Sequence, residues 1–259
     1  MTMKYFDAYL FDYNGVLIDD ERLHLRALQL LLAPLEIELT ERDYFGRYLG
    51  MNDPTIIRRI LSDHGHCPSE RWVARLVELK FRTFVDLAED RLPVVQAACS
   101  LIRTLVDSGS VVGVVSGASR QEIELGLSEL DVKQLVSFIV SAEDAPRSKP
   151  DPQGYLQALS RVSERAGGGG PLRCLVFEDA IPGIEAAHRA GMGCVAVASS
   201  RSVSELRSTS ALAVIRSLDE VTDSLLQDLS EQAPVLTWQD LVSAPGEELD
   251  LELPAALGA

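Results

Sequence analysis

Five short runs of unbroken apolar residues recur along the chain: AYLF (8–11), VVGVV (111–115), FIV (138–140), LRCLVF (172–177) and CVAVA (194–198). LAVI (212–215) is a sixth candidate. A strand with one wet face alternates apolar and polar residues. Unbroken apolarity means that both faces are covered, as in parallel strands packed under helices. Helical signals lie between the runs. Ser119 with Glu122 reads as a capping box, Asp151-Pro152 as an N-cap followed by a first-turn proline, and Gly191 ends the helix that follows Pro182. The alternation predicts an α/β fold built on a doubly wound parallel sheet.

The first two strands are separated by roughly a hundred residues, far more than one crossover helix needs. Residues 19–90 carry helical periodicity in LHLRALQLLL, TERDYFGRYL, DPTIIRRIL and WVARLVELKFRTFVDL, and no convincing strand. This predicts an all-helical domain inserted after the first strand, with Leu92-Pro93 marking the return. The expected organisation is a core of residues 1–18 and 91–232, a helical cap of 19–90 and an acidic tail of 233–259. The tail holds no Lys or Arg; VLTWQDLV suits one short amphipathic helix with Trp238 packed back on the core, and PGEELDLELPAALGA suits a solvated tail. AGGGGP (166–171) lacks a following Gly-Lys-Ser/Thr, so it reads as a flexible link and not a phosphate loop.

Composition excludes several functions. A formal charge of −15 argues against nucleic acid, whose phosphates draw clustered Lys and Arg, and against anionic membrane surfaces. It also means that any phosphate site must carry its own local positive charge. Cys67, Cys99, Cys174 and Cys194 form no CxxC pair and read as free thiols in a reducing compartment. The N-terminus runs almost directly into a strand, leaving no room for a signal peptide, and no apolar run is long enough to span a bilayer. A cytoplasmic protein is expected.

Ligand sites of parallel sheets form beyond the carboxyl ends of the strands, and four polar signals fall there. Asp12 ends the first strand, Ser116-Gly117 ends VVGVV, Lys149-Pro150 follows FIVSAEDAPRS, and Glu178-Asp179 ends LRCLVF. Together FDYNGVLIDDERLH, VVSGASR, SKPDPQGY and VFEDAIPGIEAAHRAGM resemble the four motifs of the haloacid dehalogenase superfamily, in its β-phosphoglucomutase and phosphoglycolate-phosphatase-like branch. The resemblance covers roughly residues 5–225 and implies a helical cap after the first strand. It also implies phosphoryl chemistry on a small phosphorylated metabolite, with magnesium (Mg2+) as cofactor. Asp12 would be the nucleophile that forms an aspartyl-phosphate. Asp12, Asp179 and the backbone carbonyl of Asn14 would hold the metal, with Glu178 reaching it through water or orienting Lys149. Ser116 and the Gly117 amide would hold phosphoryl oxygens, and Lys149 would offset the clustered negative charge.

One position departs from the resemblance. Asn14 stands where the family's phosphatases carry the acid that protonates the leaving alcohol and then activates water. An amide exchanges no proton near neutral pH, and loss of acid–base help typically costs about 10²–10⁴ in rate. Its backbone carbonyl serves a metal as well as that of Asp does. Alkyl phosphates are therefore expected to be slow, and acyl or nitrophenyl phosphates least affected. The other reading is a weak or inactive member that binds a phosphorylated ligand or a protein partner. Dehalogenases also lack this acid, but Glu178-Asp179 belongs to the phosphate branch.

Other polar residues have two readings each. Lys80 and Arg82 on a cap helix are substrate contacts or a solvated face, and Arg120 faces the phosphate or solvent. His24 packs the first cap helix or carries a proton, and HGHC (64–67) is a polar loop or an incomplete metal site. LGMNDPT resembles the cap loop of sugar-phosphate mutases, yet Asp53 stands where a mutase would hold a phosphate-binding Arg, which disfavours that activity.

Overall fold

Every apolar run becomes a strand of one sheet in the computed structural model, which describes residues 4–49, 51–88, 92–167 and 170–236. The strands are β1 (Ala8–Phe11), β2 (Val111–Val115), β3 (Phe138–Val140), β4 (Cys174–Glu178), β5 (Gly193–Val197) and β6 (Ala213–Ile215). All pairings are parallel and the order is β3-β2-β1-β4-β5-β6. Strand β4 starts two residues later than LRCLVF suggests, because Leu172 pairs instead with Leu236 in an isolated antiparallel bridge. Trp238 and the rest of the predicted tail lie outside the described residues.

Ten α-helices accompany the sheet among the described residues. Four follow β1: α1 (Glu21–Leu32), α2 (Glu41–Asp43), α3 (Asp53–Asp63) and α4 (Glu70–Ala88), with a π-helical turn at Tyr44–Tyr48 after α2. The others are α5 (Gln96–Asp107), α6 (Arg120–Glu129), α7 (Gln153–Arg165), α8 (Ile181–Arg189), α9 (Val203–Leu206) and α10 (Asp223–Gln232). The start of α7 differs from the sequence reading. Pro152 is itself the N-cap residue, and Asp151 Oδ1 accepts from the Gln153 amide at 2.9 Å from one position outside. No described helix is long and apolar enough to cross a membrane.

Alternation along the strands builds two cores. Tyr9, Phe11, Val112 and Phe177 point to one side, against Ile102 of α5, Ile123 of α6 and Leu226 of α10. Ala8, Leu10 and Val176 point to the other, against Leu159 of α7 and Ile184 of α8. A third cluster, including Leu28, Tyr48, Ile57, Ile60 and Val73, lies wholly within the helical segment after β1, which therefore packs its own interior. Its two connections to the sheet run side by side: the Asp19 amide donates to Pro93 O at 2.8 Å and the Val95 amide to Leu17 O at 2.9 Å.

Close packing around β2 gives a stability prediction. A Cβ on Gly113 would sit 2.5 Å from the Phe138 ring and 3.1 Å from Leu10. Gly113→Ala gains about 0.4–1 kcal/mol from a stiffer unfolded chain. Overpacking costs typically about 1–3 kcal/mol, so a net loss is expected. A thermal midpoint equal to wild type would show that the ring moves aside without cost.

Candidate active site

In this strand order the chain reverses direction across the sheet between β1 and β4, the place where open parallel sheets leave a crevice at their carboxyl ends. Asp12 follows β1, Glu178 ends β4 and Asp179 comes next. Ser116 and Gly117 follow β2, and Lys149 arrives from the loop after β3. All line one cavity of about 50 Å³. Its far wall comes from the helical segment after β1: Glu21, Tyr44, Met51, Asp53 and Ile56.

Lys149 is the hub. Its Nζ lies 2.8 Å from Asp12 Oδ1, bonds Glu178 Oε1 and donates to Val115 O at 3.2 Å. Burial alone would lower its pKa, but Asp12 and Glu178 outweigh burial and raise it, so the ammonium stays charged. Glu178 is fully engaged. Tyr155 Oη also donates to Oε1 at 3.0 Å, while the amides of Asp179 and Ala180 donate to Oε2 at 3.1 and 3.2 Å. These bonds hold it against Lys149, and its oxygens also lie close to those of Asp12 and Asp179.

Asp179 differs, because among the described residues its carboxylate receives a long hydrogen bond from Ser199 Oγ, at 3.4 Å, with Ser200 beside it. Burial, with Glu178 and Asp12 beside it, pushes its pKa well above the usual range, a sign of uncompensated negative charge. Oxygens of Asp12, Glu178 and Asp179 lie within 4.8 Å of one another. The bend after Asn14 makes room for this group. Gly15 has φ +74°, and a Cβ there would lie 2.1 Å from Asp179 Oδ2. Among the described residues the Gly117 amide and the Asn14 carbonyl have no hydrogen-bond partner.

The Asn14 side chain faces a buried polar cluster. Its Nδ2 donates to Asp20 Oδ1 at 2.9 Å and lies 2.9 Å from His24 Nε2. The same His24 nitrogen lies 3.0 Å from Glu122 and 3.3 Å from Asp20, while Nδ1 contacts Lys80 Nζ. Burial and Lys80 lower the pKa of His24, but Glu122 and Asp20 raise it to about 10. Lys80 also pairs with Asp53 at 3.0 Å.

Several candidates from the sequence do not reach the cavity. Lys80 is fully buried in the cluster and does not line it. Arg82 pairs with Glu78 on an exposed face. Arg120 turns to Asp144 at 2.6 Å and to Ile139 O at 3.2 Å. His64, His66 and Cys67 lie in the turn between α3 and α4, with His64 Nδ1 on Ile60 O and His66 edge-on to Trp72. Sequence reasoning passed over Glu21, Asp20 and Tyr155, and it read Glu122 only as a cap. Glu122 does meet Ser119 Oγ through its amide, at 3.3 Å, and its carboxylate also reaches His24.

Known proteins share this architecture. The haloacid dehalogenase-like hydrolase family matches residues 9–197. A validoxylamine A 7'-phosphate phosphatase from Streptomyces hygroscopicus is 35% identical, over 86% of this chain and 93% of its own. Hexitol phosphatase B from Escherichia coli K12 is 29% identical, over 83% and 94%. Among solved structures, β-phosphoglucomutase from Clostridium difficile superposes with a TM-score of 0.76 at 21% identity, covering 88% of this chain and 98% of that one. This last likeness concerns the fold alone.

Proposed function

The chain belongs to the haloacid dehalogenase-like hydrolase family, and from that premise we propose that it is a magnesium-dependent phosphatase of small phosphorylated metabolites. The observation that carries the reading is the buried Asp12–Lys149 pair at the strand reversal, beside the open carboxylate of Asp179. Asp12 attacks phosphorus and forms an aspartyl-phosphate, which water then hydrolyses. Lys149 offsets the charge of the incoming phosphoryl group, and the Ser116 hydroxyl and Gly117 amide hold its oxygens. The donor set suits a hard divalent cation. Asp12, Asp179 and the unpartnered Asn14 carbonyl supply oxygen only, and nearby negative charge is uncompensated. When bound, the ion supplies positive charge against the developing phosphoryl negative charge.

Residues 19–90 serve as a lid that excludes water. Three contacts support this: Thr55 Oγ1 lies 3.4 Å from Ser148 Oγ, Arg201 bonds Phe45 O, and Glu122 of α6 pairs with His24 of α1. The lid side of the cavity also bears on the substrate. It presents Glu21 and Asp53, and its one nearby lysine, Lys80, is already paired. A carboxylate or second phosphate there finds no unpaired cation among the described residues on the lid side of the cavity, since Lys80 is held by Asp53 and His24 by Asp20 and Glu122. The leaving group is therefore neutral or cationic and rich in hydroxyls, in keeping with relatives named for hexitol and validoxylamine phosphates.

A screen of phosphate release with magnesium tests both points. Polyol monophosphates are expected to react at least roughly tenfold faster than bisphosphates or phosphorylated carboxylic acids, each tenfold being about 1.4 kcal/mol. A chelator should stop turnover and added magnesium restore it. If no ester is hydrolysed, the phosphatase reading falls and a ligand-binding protein takes its place.

A further inference from the structure

We propose that Glu21 is the acid–base residue of this site, carrying directly or through one water the proton that Asn14 cannot; the proposal rests on the phosphatase reading above. Glu21 begins α1 and lines the same cavity as Asp12 and Asp179. It also lines a neighbouring open cleft with Gly15, Asp19 and Ser199, and so stands where the cavity meets water. Tyr44 Oη donates to its Oε2 at 2.6 Å and fixes the carboxyl group. Among the described residues nothing hydrogen-bonds to Oε1.

Asp179 is taken by the cation in the reading above, and the other charged groups at the cavity are committed elsewhere. Asp12 and Glu178 hold Lys149, Asp53 holds Lys80, and both ring nitrogens of His24 are engaged. Glu122 is buried, which favours its neutral form, but Lys80 and His24 draw its pKa down to about 2, so it carries no proton near neutrality. Glu21 is the opposite case. Burial raises its pKa, Asp20 and Asp12 add to the rise, and His24 and the Tyr44 hydroxyl oppose it, leaving it at about 7. Both protonation states are then populated at neutral pH, as alternating acid and base work requires.

The chemistry balances. As an Asp12 oxygen bonds to phosphorus and the bond from phosphorus to the leaving oxygen breaks, the Glu21 carboxylic acid gives its proton to that oxygen and the alcohol departs. Glu21, now a carboxylate, takes a proton from the water whose oxygen attacks the aspartyl-phosphate. The bond from Asp12 to phosphorus breaks, hydrogen phosphate leaves, and Glu21 is again protonated.

Glu21→Gln is expected to lower kcat/KM for an alkyl phosphate such as a hexitol monophosphate by about 10²–10⁴. First-turnover release from 4-nitrophenyl phosphate, whose leaving group needs no proton, should fall far less. In wild type, kcat/KM on the alkyl ester should drop as pH rises through about 7, where Glu21 loses its proton, and this limb should be absent in Glu21→Gln. Tyr44→Phe removes a hydrogen bond that favours the carboxylate, so it should move the limb to higher pH. Asn14→Asp should rescue Glu21→Gln strongly while adding little to wild type. An active wild type whose Glu21→Gln variant keeps both rate and limb overturns this proposal alone. A wild type inactive on every ester overturns it together with the phosphatase reading.

Discussion

Asp12→Asn is expected to abolish turnover of every phosphate ester, a fall of at least about 10⁴-fold, as removal of an enzyme's nucleophile does. The change is nearly isosteric and replaces only a charged oxygen. An amide is too weak a nucleophile to form the acyl-phosphate bond, so chemistry stops at the first step. The fold should survive, because Lys149 keeps Glu178 as its counter-ion and the Asp12 amide still donates to Phe177 O at 3.0 Å. Phosphate release and thermal unfolding, measured together, check both halves. Retained activity in a folded Asp12→Asn protein would sink the mechanism.

Lys149→Met should damage stability as well as activity. Methionine fills similar space but leaves the Asp12 and Glu178 carboxylates buried with no cation between them. Removing one partner of a buried ion pair costs about 3–5 kcal/mol, because the remaining charge is stranded. Lost stabilisation of the phosphoryl group should lower kcat by roughly 10²–10³. The deficit depends on pH. Burial and Asp12 raise the pKa of Glu178, against the opposing pull of Lys149. Without Lys149 the folded-state value rises further, while the unfolded value stays near about 4.3. A raised group contributes stability below its unfolded pKa and loses it as pH climbs through the folded one. Urea unfolding of Lys149→Met should therefore show a smaller deficit at pH 5 than at pH 8, and adding Glu178→Gln should recover part of it. Equal loss at both pH values would show that the stranded carboxylates are not the cause.

Sheet and strand tips were legible because their causes are local. A parallel strand covered on both faces must be apolar throughout, so AYLF, VVGVV and FIV mark their strands to the residue. Asp12, Ser116 and Asp179 were legible for a related reason. Each lies one or two residues past such a run, and the ends of parallel strands converge whatever the loops do. The insertion followed from length, since no single crossover helix needs so many residues.

The polar partners were not legible, because a charge in a sequence does not state what it will face. Lys80 is a lysine like Lys149, yet α4 packs it against α1 and α3, where Asp53 and Glu122 offset its charge. Glu122 satisfies its helix cap and also reaches His24, 98 positions away by number, because the helical segment after β1 folds back against α6. Glu21 looks like an ordinary acid at a helix start, a place the helix dipole favours in any case. Its meeting with Tyr44, 23 residues on, and with the wall of the cavity exists only once the helical segment has folded against the strand ends. The sequence alone determined where backbone geometry gathers the strand-end carboxylates; tertiary packing decided which remaining charges cancel one another and which carboxyl oxygen faces the cavity unbonded.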